Sequence, residues 1–410
     1  MHKFKFINRR QNIYTMEWII VSLIALGLVF WLLGWRWERT FIRPRNPKSY
    51  PLVSILIPAY NSEKTIEATL KSVQELDYPR KEIIVVNDSQ DNTEKICKKF
   101  GAKYIQNKKR LGKALALNTA VKYAKGDILF FLDADTTAEK DSLKKIIPWF
   151  SKKEIAAVSP KFVVANKNNF LTKMIYLENS FISSLFKTHM FFGSLIAFRG
   201  CGVAIRKSVF QAAGGWPQTL IEDNDFAGTL FKMGHKIQYD PEAIVRTKEP
   251  ETKEALKKQR MRWGKGFTYT FLHHRKTYFR NPQFSIYALP YLLLTFAIIG
   301  VFFWQTSLYF IPLISVYVLY TFSLTQFIQI MPLLLLPIFT NLLSSLLPAS
   351  LGHVALMTIP EKKHDVKDIL LIIPYTFVFV PLVIYYYMRG MISGIRDKKN
   401  HRPELDLNYW

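Results

Sequence analysis

Two carboxylates one residue apart, Asp133 and Asp135, follow directly on the apolar run Ile128–Leu132. Hard oxygen donors on a turn can hold a divalent cation, Mg2+ or Mn2+, against a diphosphate and neutralise the charge that builds as it leaves. Such a pair is also an ordinary solvated turn, but its place at the end of an all-apolar segment favours a site. Asp88 closes a similar run, Val86-Asn87-Asp88. There a carboxylate can accept from a base or ribose edge, or simply form an Asn-Asp-Ser turn. Arg110-Leu111-Gly112-Lys113 sets a glycine and a cation at the start of a helical pattern that reaches Asn118. This is either an anion site or a capped surface helix. Glu222 and Asp223 follow the turn-forming Gly214-Gly215-Trp216-Pro217. One of them can take the proton of an acceptor hydroxyl, or the two can complement a helix dipole. Gln259, Arg262 and Trp263 share one helical face by three- and four-residue spacing. A guanidinium grips phosphate and an indole stacks on a sugar, although Trp and Arg are equally ordinary at a membrane interface.

The elements that must position these groups are legible in the periodicity. Val53–Ile57, Glu82–Val86 and Ile128–Leu132 are short apolar runs of strand type, with a shorter extended piece at Lys103–Ile105. Glu63–Val73, Thr93–Phe100 and Gly112–Tyr123 have helical spacing. Alternation at this length predicts an α/β layer structure with a mainly parallel sheet. In such sheets ligands bind beyond the carboxyl ends of the strands, where Asp88 and Asp133 stand.

Charge divides the chain. The 410 residues carry 56 Lys and Arg against 31 Asp and Glu, a net +25. The basic residues scatter through a globular pattern and gather beside apolar segments, which points to anionic lipid and phosphorylated substrates, with no nucleic acid. From Asn281 to Pro360 there is no Asp, Glu, Lys or Arg. The expected membrane spans are Trp18–Trp35, then stretches near Phe284–Trp304, Ser307–Ser323 and Phe327–Pro348, and a last one at Ile369–Met388. An odd number of spans puts the catalytic domain and the basic end (Arg389, Arg396, Lys398, Lys399, Arg402) on one side, the cytoplasmic one by the positive-inside rule. The organisation that follows is a leader, span and linker over 1–50, a catalytic domain over 51–280 ending in interfacial helices around Leu256–Tyr278, about four spans over 281–390, and a basic cytoplasmic tail over 391–410. Met16 stands just before the first span as a second possible start. The two cysteines, Cys97 and Cys201, build neither a disulfide framework nor a four-cysteine zinc site.

Taken in order, these clusters carry a resemblance. With the opening Val53-Ser54-Ile55-Leu56-Ile57-Pro58-Ala59-Tyr60-Asn61, the chain from about Pro51 to Gly266 resembles family 2 glycosyltransferases of GT-A fold. It is most similar to the membrane-integrated branch: poly-N-acetylglucosamine, hyaluronan, chitin and cellulose synthases and ceramide glucosyltransferases. The resemblance implies a Rossmann-like GT-A domain plus an α-helical transmembrane bundle, and an inverting transfer from a nucleotide-sugar donor, with a UDP-sugar as the expected one, on Mg2+ or Mn2+. It places Pro58, Tyr60, Asn61 and Asp88 at the nucleotide, Lys113 and Arg262 at the phosphates, and Asp133 and Asp135 at the metal. Asp223 is the implied base with Glu222 beside it, and Gln259, Trp263, Cys201 and Gly202 lie towards the acceptor. Two positions depart from the family pattern: the usual Thr-Glu-Asp reads Ile221-Glu222-Asp223, and the acceptor-side Ser-Gly reads Cys201-Gly202. The implied product is a growing polysaccharide. The alternatives are single addition to a polyprenyl-phosphate or glycolipid acceptor, and a non-catalytic subunit of an export complex. Membrane lipids and an accessory subunit are the implied partners.

Overall fold

The computed structural model describes residues 29, 32–280, 285 and 371–397. The chain divides into two compact units, Met1–Leu33 with Pro282–Thr376, and Gly34–Asn281 with Phe377–Trp410. All that follows concerns the second. The expected spans between residues 284 and 348 lie outside the described residues, Ser285 excepted, as does most of Trp18–Trp35. Among the described residues no helix is long and apolar enough to cross a membrane.

Eight strands form one sheet: β1 Val53–Ala59, β2 Lys81–Asn87, β3 Lys103–Gln106, β4 Ile128–Phe131, β5 Thr136–Ala138, β6 Ile155–Val164, β7 Val203–Arg206 and β8 Lys236–Thr247. Their order is β3-β2-β1-β4-β7-β6-β8-β5. The expected parallel sheet holds across β3, β2, β1 and β4. Beyond β4 the sheet is mixed: β7 runs antiparallel to both neighbours, β6 and β8 are parallel, and β5 is antiparallel to β8. The alternating pattern over 53–132 covers only the first half of the sheet and says nothing of the mixed half.

The all-apolar strands have a simple cause. Alternate side chains of β4 go to opposite faces, Ile128 and Phe130 to one core and Leu129 and Phe131 to the other, so no position is left for water. Helices α1 Ile66–Gln74 and α2 Thr93–Lys99 cover the first face through Ile66, Leu70, Val73 and Cys97. The second is covered by α3 Lys113–Tyr123 through Ala116, Leu117 and Ala120. Two short helices follow in the chain, α4 Ser142–Ile146 and, after α5 Phe170–Phe191, α6 Lys207–Ala212. α7 Glu222–Lys232 joins α3 on the second face through Phe226, Ala227 and Leu230.

The long α8, Lys253–Arg280, packs on α9, Val380–Asp397. The contact depends on missing side chains. A Cβ at Gly264 would lie 2.1 Å from the Tyr387 carbonyl oxygen, and one at Gly390 would lie 2.2 Å from that of Met261. Lys265 closes the far end on Asp397 at 2.5 Å. The charge pattern began a tail at residue 391, but α9 continues through that point against α8.

Candidate active site

The carboxyl ends of β1, β2 and β4 share one rim, and each supplies polar groups to it. Pro58 lies in β1 opposite Val86. Beyond Ala59 the chain turns at Asn61, whose φ of 51° is in the left-handed region that Asn tolerates. The Asn61 N–H donates to Ser89 Oγ at 2.9 Å, tying the ends of β1 and β2 together. Tyr60 stays 41% exposed, with the Arg110 guanidinium 4.0 Å from its ring centre. An exposed ring at a strand-end rim is a surface on which a planar base can stack.

Asp88 builds the loop that follows β3. Its Oδ1 accepts from Asn107 Nδ2 at 2.6 Å, and its Oδ2 from the N–H groups of Leu111 and Gly112 at 2.8 Å. Gly112 takes a φ of 84°, which a residue with a Cβ adopts only under strain, and so turns the chain into α3 at Lys113. The expected contact of Asp88 with a nucleoside would use the lone pairs that remain.

Lys113 Nζ lies 2.7 Å from Asp133 Oδ1 and 3.5 Å from Glu222 Oε1. Burial alone lowers its pKa, but the two carboxylates outweigh burial and keep the ammonium charged. Asp133 and Asp135 lie where the chain leaves the middle of the sheet at Phe131 and rejoins its far edge at Thr136. The turn is pinned by the Thr136 N–H to the Asp133 carbonyl at 3.0 Å and by Thr69 Oγ1 to the Ala134 carbonyl at 3.0 Å. Burial, reinforced by Asp133, pushes the Asp135 carboxyl up to about 6. Two adjacent carboxylates that resist joint ionisation fit a hard divalent cation, which would relieve their repulsion and shield the charge of a bound diphosphate.

Asp223 stands in the first turn of α7. Its Oδ2 accepts from the Gly200 N–H at 2.8 Å and its Oδ1 from the Asn224 N–H at 2.8 Å. A Cβ at Gly200 would sit 3.2 Å from Asp223 Cβ, so glycine is what lets this backbone donor close on the carboxylate. Beside it, burial raises the Glu222 pKa, Lys113 opposes that shift and Asp223 adds to it. Arg262 reaches this cluster from α8. Its Nη1 donates to the Leu220 carbonyl at 3.0 Å; burial lowers its pKa while Glu222, Asp223 and Asp133 act against that.

The remaining expected residues are less uniform. Trp263 has the Arg260 guanidinium 4.2 Å over its ring, and the buried Oε1 of Gln259 has no protein partner. Cys201 sits beside the charged cluster, where burial and then Asp133 push its thiol well up. Gly202 is a packing position: its φ is 68°, its N–H donates to the Phe131 carbonyl, and a Cβ would lie 2.8 Å from Val245 Cγ2. Several groups escaped the sequence reading. Arg260 is buried and pairs with Glu178 of α5, and Arg199 bonds Asn179 and, at 3.4 Å, Glu249. A second arginine in Gln259-Arg260-Met261-Arg262 was visible, but helical spacing alone does not say which one is buried. Among the described residues one other set of donors converges: Asp225, His273 and His274, with one ligand atom each within 4.8 Å of the others. Its two imidazoles suit a softer ion than the all-oxygen pair at Asp133 and Asp135 does.

Comparison with known proteins agrees with this architecture. Residues 54–214 match the profile described as Glycosyl transferase family 2. The chain is 35% identical over 290 residues to a probable glycosyltransferase, YdaM, of Bacillus subtilis (strain 168), covering 65% of this chain and 69% of that one. It is 29% identical over 299 residues to a poly-beta-1,6-N-acetyl-D-glucosamine synthase of Staphylococcus epidermidis, covering 71% of this chain and 72% of the relative. In fold it is similar to the mannosyltransferase PcManGT from Pyrobaculum calidifontis, solved with GDP-Man and Mn2+, at a TM-score of 0.55 and 19% identity over 93% of this chain and 99% of that one. The chain belongs to glycosyltransferase family 2. It is a transferase that acts on nucleotide sugars, and its relatives include poly-N-acetylglucosamine synthases.

Proposed function

We propose that the protein is a membrane-embedded, inverting hexosyltransferase that extends a polysaccharide from a UDP-sugar, with UDP-N-acetylglucosamine as the first candidate donor. The observation that carries this reading is the unbroken line of charge from the metal turn to the base. Asp133 meets Lys113, Lys113 meets Glu222, and Glu222 precedes Asp223. In this reading Asp223 takes the proton of the acceptor hydroxyl. The acceptor oxygen bonds to the anomeric carbon as the bond to the diphosphate oxygen breaks, and the nucleoside diphosphate leaves with that electron pair. Lys113 and Arg262 offset the charge on the leaving group. Mg2+ or Mn2+ held by Asp133 and Asp135 would supply further neutralisation there. Gln259 and Trp263 face the acceptor.

The charge-free stretch Asn281–Pro360 supports a membrane bundle, and the basic residues around it support a catalytic domain on the cytoplasmic side. The test incubates the purified full-length chain with Mg2+ or Mn2+ and a panel of UDP- and GDP-sugars, and reads nucleoside diphosphate release together with product size. Release from one donor with a long carbohydrate product is expected. A lipid-sized product would replace polymer extension by single addition, and no release with any donor and lipid acceptor would overturn the proposal. A cysteine-accessibility map that placed the residues after Arg389 outside would overturn the topology.

A further inference from the structure

The base is carried by a helix, and something must set how that helix is turned. The segment Leu220–Gly228 meets α8 at three attachments along its length. Arg262 donates to the Leu220 carbonyl at 3.0 Å. Four residues on, Gly266 leaves room for Ile221, whose Cγ1 would lie 2.8 Å from a Cβ placed there. Eight residues further, His274 Nε2 lies 2.5 Å from Asp225 Oδ1. At about 100° per residue these steps spread the three attachments over about a third of the circumference of α8.

The third attachment is the most specific. Asp225 and His274 are both buried, so each is the other's main means of satisfying a polar group out of water. His273, which is exposed, comes to 3.3 Å of the same Asp225 oxygen. One turn along α7, Gly228 keeps the helix bare where the imidazole lies: a Cβ there would be 2.5 Å from His274 Cδ2. Asp225 is two residues from Asp223, so turning α7 about its axis cannot move one carboxylate without the other. Asp223 itself accepts from the N–H groups of Gly200 and Asn224.

We infer that Asp225 and His274 are a positioning pair for the transfer: their buried hydrogen bond fixes the rotation of α7 against α8 and so aims the Asp223 carboxylate at the acceptor hydroxyl. Neither touches substrate. The inference rests on Asp223 being the base. Because Asp88, Asp133 and Asp135 follow strand ends and Lys113 opens α3, away from the pair, its loss disturbs transfer and leaves nucleotide binding in place.

The experiment compares His274→Ala, His274→Gln, Gly228→Ala and the double variant His274→Ala/Asp225→Ala in the full-length chain. It measures kcat at saturating donor and, separately, affinity for UDP in Mn2+. His274→Ala is expected to lower kcat by about 10²-fold, the scale of a small misplacement of a reacting group. UDP affinity is expected to stay within about twofold, the signature of a loss felt in the transfer step alone. His274→Gln, whose amide N–H can reach the same oxygen, is expected to recover most of the loss, and the double variant to add little, because the two residues act as one unit. Wild-type kcat in His274→Ala overturns the inference, as does an equal fall in kcat and UDP affinity that glutamine does not relieve. Should His274→Ala not fold, Gly228→Ala decides, since it displaces the imidazole without removing it: unchanged kcat in the folded variant overturns the pairing. Asp223→Asn is assayed alongside. Full activity there defeats the base assignment itself, whereas an inactive Asp223→Asn beside an unaffected His274→Ala defeats only the positioning role.

Discussion

Asp88 and Asp133 hang from the ends of β2 and β4, whereas Asp223 stands on the first turn of a helix. The strand ends are held by ladders: β1 pairs with β2 over seven residues and with β4 over four, all parallel and in register. The proposed base, Asp223, has no such ladder. Its helix is placed by Phe226, Ala227 and Leu230 in the sheet core, by Gly200, by the Leu220 carbonyl on Arg262, and by side chains of α8 that lie many residues further along the chain. The strands of the donor half are therefore fixed by a backbone ladder, whereas the helix of the base half depends on side-chain packing and on single hydrogen bonds. A substitution away from the reacting groups should be felt in nucleotide affinity in the first half and in kcat in the second.

The strongest test of that contrast removes the base alone. Asp223→Asn should lower kcat by about 10³-fold, within the range for general-base catalysis, while UDP affinity holds. Parallel nucleotide binding and product assays check this, and an equal loss in both would break the division. Asp135→Asn should act in the donor half, weakening Mn2+ binding and lowering turnover by about 10²-fold, the scale of one lost electrostatic contact to the developing charge. Metal titration against initial rate distinguishes it from Asp223→Asn, because excess Mn2+ should recover only the Asp135 variant.

Acidity offers a milder probe of the same half. The Asp135 carboxyl is pushed up to about 6, and as the proposed metal ligand it would bind only when ionised. Below that pH the proton competes, so Mn2+ affinity should fall about tenfold per pH unit, and above it the affinity should level off. Calorimetric Mn2+ titration between pH 5 and 8 reads this directly, and a flat profile would move the metal away from Asp135. The smallest effect is expected from Gly112→Ala. At a φ of 84° the new side chain should cost about 1–3 kcal/mol and a few degrees of Tm. UDP affinity should drop with it while kcat at saturation changes little, because the loop under Lys113 belongs to the donor half.

Much of the donor half was legible in the sequence. A five-residue apolar run bounded by turn residues reads as a strand buried on both faces, and a carboxylate directly after such a run stands at the strand end where ligands bind. Asp88, Asp133 and Asp135 were read in that way and share one rim with Lys113. Helix starts were less exact. The pattern began α1 at Glu63, but the helix starts at Ile66, after the left-handed turn at Asn61. The parallel sheet was extrapolated too far, because nothing between residues 155 and 247 shows in which direction an apolar strand runs.

What the sequence determined by itself is the set of chemical groups and their order: two carboxylates for a cation, a cation behind a glycine, an acidic pair for proton transfer, an arginine and a tryptophan one helical turn from Gln259. Hydrophobic period and residue type set these locally, within a few residues. Only the tertiary structure decided which of them meet. Lys113 reaches Glu222, Gly200 holds Asp223, Arg260 rather than Arg262 pairs with Glu178, and His274 settles on Asp225. Each joins residues that are far apart in the chain. Such contacts depend on the packing of α7 and α8 against the sheet and each other, and on glycines whose missing side chains show their purpose only once a neighbour is in place.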